Sequence, residues 1–292
     1  MKWCLASTAI AVGFVLMILN IAGFFIPIAE HPEAAQKQVH KIRLVRPSYQ
    51  DSIEALSRLD KSSPPEQLIA EANRIIAARI VHYWPDPGKS DSHTMYSYLE
   101  NWYLAGLQRA EAWLANMGFT EVDIARDGRR DFRQILAKGV GLCGMAAIAL
   151  ADYLREKDTP TKILALGGHV VVYASVRGRN YILDPDYGVT IADVPAPPER
   201  SLSQIVAAYR AAGYWPRKVQ KVERKYAASK MRLYDLARFQ NGKRRLLARA
   251  EIIKWLVPLG LIALGGFLAR KPSEVHPRPA PHGPAGILGR AE

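Results

Sequence analysis

Within residues 137–189 the chain passes from a glycine-bearing loop into an alanine-rich apolar run, and then into three short β-branched runs. No other feature constrains the fold as tightly. Cys143, Met145, Ile148, Ala149, Leu150 and Leu154 make one apolar helical run, whereas Lys162 to Leu166, Val170 to Val176 and Tyr181 to Asp184 have the length and content of strands. The turn Arg177-Gly178-Arg179-Asn180 makes a hairpin of the last two. Helices are expected on both sides of this block, so the pattern is helices, then an antiparallel sheet, then helices. That is an α+β chain.

Three chemistry-bearing residues stand at the ends of these elements. Cys143 begins the helix, His169 begins a strand after Gly167-Gly168, and Asp184 closes the next strand. Their order is nucleophile, base, orienter. A thiolate attacks carbonyls where a thiol does not, and a helix N-terminus or a nearby imidazolium lowers a cysteine pKa from its usual ~8.5. Gly141 and Gly144 leave the Cys143 backbone uncluttered, so its N–H can act as an oxyanion donor. Asp184 suits the third role better than Asp186. A hairpin turning at Gly178 returns Asp184 beside the start of the His169 strand, while Pro185 carries Asp186 off the sheet. Taken singly, Cys143 reads as a small buried residue, His169 as a strand-edge histidine and Asp184 to Gly188 as a turn. Their coincidence in order and element position favours a site.

Competing motifs fail. Gly139 to Gly144 matches G-x-G-x-x-G, but a dinucleotide site needs an apolar strand ahead of it, and residues 131–138 read as helix. The seven histidines show no ligand spacing with cysteine or carboxylate partners, and there is no P-loop and no G-x-S-x-G elbow. Neither a metal nor a cofactor is expected.

Apolar runs lie near both ends. Residues 3–29 carry no charge and are long enough to cross a bilayer. No small-x-small site closes this run, so residues 1–29 read as an uncleaved signal anchor. Residues 252–269 include Lys254, Pro258 and three glycines, and read as a short transmembrane helix with a snorkelling lysine. An interfacial hairpin or a buried helix is the competing reading. Residues 270–292, rich in proline and glycine, read as a disordered tail.

The formal net charge is +13, and residues 217–254 hold thirteen basic residues against three acidic ones. A basic run leading into an apolar segment points to membrane lipid headgroups as partners. An acidic polysaccharide is a further partner, and nucleic acid, lacking any recognition motif here, is an unlikely one. The central Lys/Arg load favours a cytoplasmic domain, whereas the basic start at Lys2 favours an external one. The reading taken is a plasma-membrane protein (inner membrane in a bacterium) with a periplasmic or otherwise extracytoplasmic domain. Cys4, the only other cysteine, lies in the first apolar run, so Cys143 is expected to be a free thiol.

Residues 30–62 read as a linker and 63–200 as the domain. Ser63-Pro64-Pro65-Glu66 reads as a capped helix start, followed at helical spacing by Leu68, Ala72, Ile75, Ile76, Ile80 and Tyr83. A second helix over about 94–117 carries a stripe of Leu99, Trp102, Gly106, Ala110, Trp113 and Met117, read as core. Asp131 caps a short helix. Helices over 202–213 and 219–247 make residues 201–251 a basic helical region.

The segments G-x-G-L-C-G, G-G-H-V-V-V-Y and Y-I-L-D-P-D-Y-G together resemble the core of the transglutaminase-like superfamily, relatives of papain-type cysteine proteases. The match covers residues 131–190. It implies a helix packed on an antiparallel sheet, with a catalytic triad at Cys143, His169 and Asp184. Valines follow the histidine, where the family often has aromatics. The second oxyanion donor has no assigned position, Gln134 lying nine residues before the cysteine. The resemblance implies a thiol hydrolase (cysteine protease or amidase) or an acyltransferase, acting on an amide or acyl carbonyl of a protein or peptide. Similar bacterial members often accompany cell-envelope or exopolysaccharide production, which makes envelope proteins partners. The alternative is a non-catalytic envelope scaffold that binds anionic lipid or acidic polysaccharide through its basic helices.

Overall fold

The computed structural model describes residues 2–26, 46–59, 63–82, 96–118, 131–195, 201–228 and 231–270. The first half is α1 (Lys2–Phe25), α2 (Tyr49–Arg58), α3 (Pro65–Arg79), β1 (Val81–His82), α4 (Tyr98–Asn116), α5 (Phe132–Lys138), β2 (Val140–Gly141) and α6 (Cys143–Glu156). Then come β3 (Thr161–Leu166), β4 (His169–Val176), β5 (Arg179–Asp184), β6 (Val189–Ile191), α7 (Leu202–Ala211), α8 (Pro216–Ala228), β7 (Arg232–Tyr234), α9 (Leu236–Phe239) and α10 (Asn241–Ala269). The chain is α+β, mostly helical, with an antiparallel sheet.

That sheet has the order β6-β5-β4-β3-β7. Arg177 and Gly178 both adopt positive φ, 48° and 78°, which gives the β4–β5 turn the twist of its flanking strands. Side-chain alternation then assigns two faces. Val172, Ala174, Val176, Tyr181 and Leu183 meet α6 through Met145, Ala146, Ala149, Leu150 and Leu154. Val171, Tyr173 and Ile182 meet Ile205 and Tyr209 of α7 and Val219, Val222 and Tyr226 of α8. Each large apolar side chain so buried is worth ~1.5–3 kcal/mol. The two layers hold the sheet rigid from both sides.

Four local readings change. Residues 49–58, read as linker, form α2. The Ser48 hydroxyl accepts from the Asp51 N–H, the Asp51 carboxylate accepts from the Ser48 N–H, and Leu56 is buried. Its far end is pinned by the Tyr153 hydroxyl, which donates to the Leu56 carbonyl at 2.8 Å. Ser63 does not cap α3: the N-cap is Pro64, with Pro65 at the first helical position.

The aromatic stripe of α4 is not core, since Trp113 is 61% and Met117 50% exposed. Asn101 leaves the helical conformation (φ −163°, ψ 100°), and its side chain accepts from the Leu104 N–H to restart the helix. The buried face beyond that break is Leu104, Ala105 and Gln108, with Leu104 and Ala105 packed against Ala250 and Leu247. Finally, no single helix spans 219–247. α8 stops at Ala228, and β7 pairs with the edge of β3 (Ile163↔Tyr234), because an open strand edge offers backbone partners that a helix cannot use.

α1 and α10 are each long and apolar enough to cross a membrane. Most of their large apolar side chains, such as Phe14, Ile18, Leu259 and Phe267, stay exposed. They pack antiparallel on each other. Gly13 lies against Pro258 and Ile262, and Gly265 against Ala6 and Ile10, where a Cβ would come within 2.7 Å of the Ala6 carbonyl oxygen. Pro258 has no N–H, so the Lys254 carbonyl loses its helical donor. Asn20 Nδ2 donates to that carbonyl at 2.5 Å and Trp102 Nε1 at 3.3 Å. One proline-freed carbonyl thus joins α1, α4 and α10. The expected tail at 270–292, all but Arg270, and Tyr83 lie outside the described residues.

Candidate active site

The approach to Cys143 is built from buried backbone contacts. Asp131 caps α5 by accepting from the Arg133 N–H at 2.7 Å, and Gly139 ends it in the left-handed conformation (φ 64°). Buried Arg79 donates to the carbonyls of Leu136 (2.7 Å) and Ala137 (3.2 Å), and Arg46 to that of Gly139 (3.1 Å). β2 then pairs in parallel with β1, placing His82 beside Gly141. A Cβ at Gly141 would lie 2.6 Å from Met145 Sδ, so the chain passes closely over α6 there. Cys143 follows as the first residue of α6. It is a half-buried free thiol, and its N-cap Leu142 supplies no side-chain acceptor. The helix-start amides beside the thiol therefore have no side-chain cap.

His169 and Asp184 come from the sheet. The register Val172↔Leu183 sets Asp184 across from Val171, one diagonal from His169 and on the same face. His169 is 2% exposed and Asp184 0%. His169 Nε2 meets Asp184 Oδ2 at 2.7 Å. With Nε2 so engaged, Nδ1 is the free ring nitrogen, and Cys143 lies near enough to the imidazole to favour its charged form. The three predicted residues are thus brought into one neighbourhood, with the carboxylate paired to the imidazole. Burial opposes the imidazolium charge, but Asp184 and then Cys143 overcome it and push the His169 pKa up to about 10.

Asp184 is held on every side. Its Oδ1 accepts from the N–H groups of Asp186 (3.0 Å) and Tyr187 (3.2 Å), and its Oδ2 also accepts from the Tyr209 hydroxyl. Tyr187 stands edge-on to His169 at 5.5 Å and to Tyr209 at 5.4 Å, and Tyr214 closes on Tyr187 at 5.1 Å. Burial, with Asp184 next, raises the pKa of Tyr187, Tyr209 and Tyr214 above the ordinary tyrosine value. This wall keeps three neutral phenols around the carboxylate.

Asp186 does not serve His169. It meets His82 Nδ1 at 2.6 Å, and both side chains are buried, so the turn after β5 carries two His–carboxylate pairs on alternate residues. Gln134 lies exposed on α5. Among the described residues, no group of three or more His, Cys, Asp or Glu side chains is placed to hold a metal.

The open side of the site is basic. Lys225 Nζ donates to the Gly168 carbonyl at 2.8 Å, next to His169. A cleft of about 530 Å³ beside it is lined by Gly167, Arg217, Lys221, Arg224 and Lys225. Burial, the largest influence, lowers the Lys225 pKa, while the charges of Cys143, Asp186 and Asp184 oppose that fall. A Cβ at Gly144 or Gly168 would meet open space, so neither position is crowded on this side. Chemically, the set offers a thiol, a proton carrier paired with a buried carboxylate, and backbone donors at a helix start.

No family model, no curated protein and no solved structure matches this chain.

Sequence reasoning missed Tyr209, the His82–Asp186 pair and the placement of the α8 cations. Tyr209 and Asp184 are 25 residues apart and His82 and Asp186 are 104 apart, so no local pattern links either pair. The α8 cations did carry a signal, in their i, i+3, i+4 spacing, but the spacing does not say what they face.

Proposed function

We propose that the chain is a membrane-attached cysteine hydrolase or acyltransferase of the transglutaminase-like superfamily, acting on an amide or acyl carbonyl. One observation carries this reading: buried His169 is paired with a carboxylate that the Asp186 N–H and the Tyr209 hydroxyl hold in place, and the Cys143 thiol lies near the same imidazole. A buried histidine and carboxylate paired only for stability would not need a thiol at a helix start nearby.

The steps follow from the geometry. The Cys143 sulfur attacks the carbonyl carbon, forming the S–C bond, and the oxyanion is met by amides at the start of α6. His169, as imidazolium, gives its proton to the departing amine as the C–N bond breaks. A thioester remains on Cys143. A water, or an amine in the acyltransferase case, then loses a proton to His169 as it attacks. The tetrahedral adduct expels the thiolate, and the imidazolium–thiolate pair returns. Asp184 orients the imidazole throughout. Water is the acceptor we favour, because hydrolysis needs no second binding site.

The apolar α1–α10 pair supports attachment to a membrane; on this reading it lies in a plasma or inner membrane, with the site on the extracytoplasmic side and the substrates among envelope proteins. Iodoacetamide treatment of the solubilised protein at neutral pH, with the adduct located by mass spectrometry, tests the nucleophile. Absence of label on Cys143 would sink the enzymatic reading. The basic face of α8 supports a second reading, a scaffold without catalysis. Salt-sensitive binding to anionic vesicles that is unchanged in Cys143→Ala, together with an unreactive thiol, would favour it.

A further inference from the structure

α8 carries five basic residues and one acidic residue over Pro216–Ala228. At 100° per residue, Arg217, Lys218, Lys221, Arg224 and Lys225 fall on one arc, while Val219, Val222 and Tyr226 fall on the opposite one and are buried in the core. The core therefore fixes where the cations point. They point at the reaction centre: Lys225 bonds the carbonyl of Gly168, which precedes His169, and feels the charges of Cys143, Asp186 and Asp184. Arg217, Lys221 and Arg224 line the cleft that opens beside them at Gly167.

Resting on the triad reading above, we infer that this cleft binds an acidic peptide segment and delivers an adjoining acyl carbonyl to Cys143. Four cations around one cleft attract carboxylates and repel basic segments. A phosphate polymer would satisfy the charge but brings no acyl carbon to the thiol, whereas the cleft is lined by Gly167, two residues before His169, and by Lys225, which feels the Cys143 charge. The arginines suit bidentate carboxylate contacts, and the lysines add charge that tolerates variation in the segment.

The test uses the full-length protein in uncharged detergent, on a Cys4→Ser background so that Cys143 is the one thiol. The second-order rate constants for alkylation by anionic iodoacetate and by neutral iodoacetamide are measured, and their ratio is taken. The ratio cancels changes in intrinsic thiol reactivity. Relative to a small free thiol, it should rise on the order of tenfold at low salt. Raising ionic strength from about 0.01 M to about 1 M cuts the screening length from roughly 30 to 3 Å and should abolish the rise. Lys221→Glu with Arg224→Glu should bring the ratio to or below that of the free thiol, while Arg58→Gln on distant α2 should leave it high. An oligoglutamate peptide should slow iodoacetamide labelling in the wild type, with oligolysine without effect.

A ratio equal to that of the free thiol and insensitive to salt, with Cys143 still labelled, overturns the acidic-segment inference and leaves the triad reading standing. Slowing by phosphatidylglycerol vesicles but not by oligoglutamate also overturns it, in favour of a lipid headgroup. A Cys143 that neither reagent labels overturns the inference and the triad reading together.

Discussion

Replacing Asp184 by asparagine isolates what the buried carboxylate does. Its shape is nearly kept: Oδ1 can still accept the Asp186 and Tyr187 N–H groups. The new amide would instead confront His169 Nε2 and the Tyr209 hydroxyl, both of which now meet Oδ2. Burial alone pulls the His169 pKa down, and Asp184 is the first of the influences that reverse this. Without the carboxylate the pKa should fall from about 10 to below the free-imidazole value of 6.5. His169 would then be neutral at pH 8, where the wild type is charged.

The same substitution changes stability with a defined sign. A folded-state pKa raised above the unfolded one stabilises fully below about 6.5, and that contribution fades as pH rises towards about 10. Wild-type stability should therefore decline between those values, and Asp184→Asn should flatten the decline. Removing one partner of a buried ion pair costs roughly 3–5 kcal/mol. An ordinary cysteine is only a few per cent thiolate at pH 7, so losing the imidazolium should slow Cys143 alkylation at least about tenfold. The assays are the NMR titration of ¹⁵N-histidine-labelled protein, urea unfolding across pH and iodoacetamide kinetics. An Asp184→Asn protein whose His169 stays charged at pH 9, or a wild type titrating near 6.5, would refute the reasoning.

Three further outcomes follow from other contacts. Tyr209→Phe removes one hydroxyl donor from the buried carboxylate and should cost about 1.5–3 kcal/mol in urea unfolding, with His169 still paired to Asp184. Asn20→Leu should loosen the α1–α10 pair by about 0.6–2 kcal/mol in detergent melts. Adding Pro258→Ala should restore much of that, because alanine returns an N–H to the Lys254 carbonyl, and no rescue would mean the proline-freed carbonyl is not what Asn20 serves. Gly265→Val should lower the melting temperature by the equivalent of about 1–3 kcal/mol, since its Cβ would press on the Ala6 carbonyl and Ile10.

How much of this was legible depended on the range of the interaction. The β4–β5 hairpin is readable because its turn residues and alternation are local, and the same alternation puts Asp184 near His169. α5 and its Asp131 cap were equally local. α2 was passed over because ten residues give barely three turns of pattern, and its capping box uses aspartate where glutamate is the usual signature. The α4 stripe misled because helical periodicity assumes an unbroken helix, and Asn101 breaks it. β7 was hidden in a basic helical run since only the waiting edge of β3 makes a strand of it. Tyr209 was invisible for a similar reason: a helix expected to be a basic appendage covers the second face of the sheet.

The antiparallel packing of α1 and α10 has a consequence for topology. The Phe24 and Trp255 rings stack at the end of the pair from which the sheet domain departs and to which it returns. If both helices cross a bilayer, this packing brings the start of α1 and the end of α10 out together on the face opposite the sheet domain. In that arrangement the competing charge signals at Lys2 and along residues 217–254 describe a single choice, which would put the start of α1 and the end of α10 on one side and the thiol on the other. A reporter at either end and an impermeant thiol label on Cys143 must give opposite answers, so each serves as the other's control.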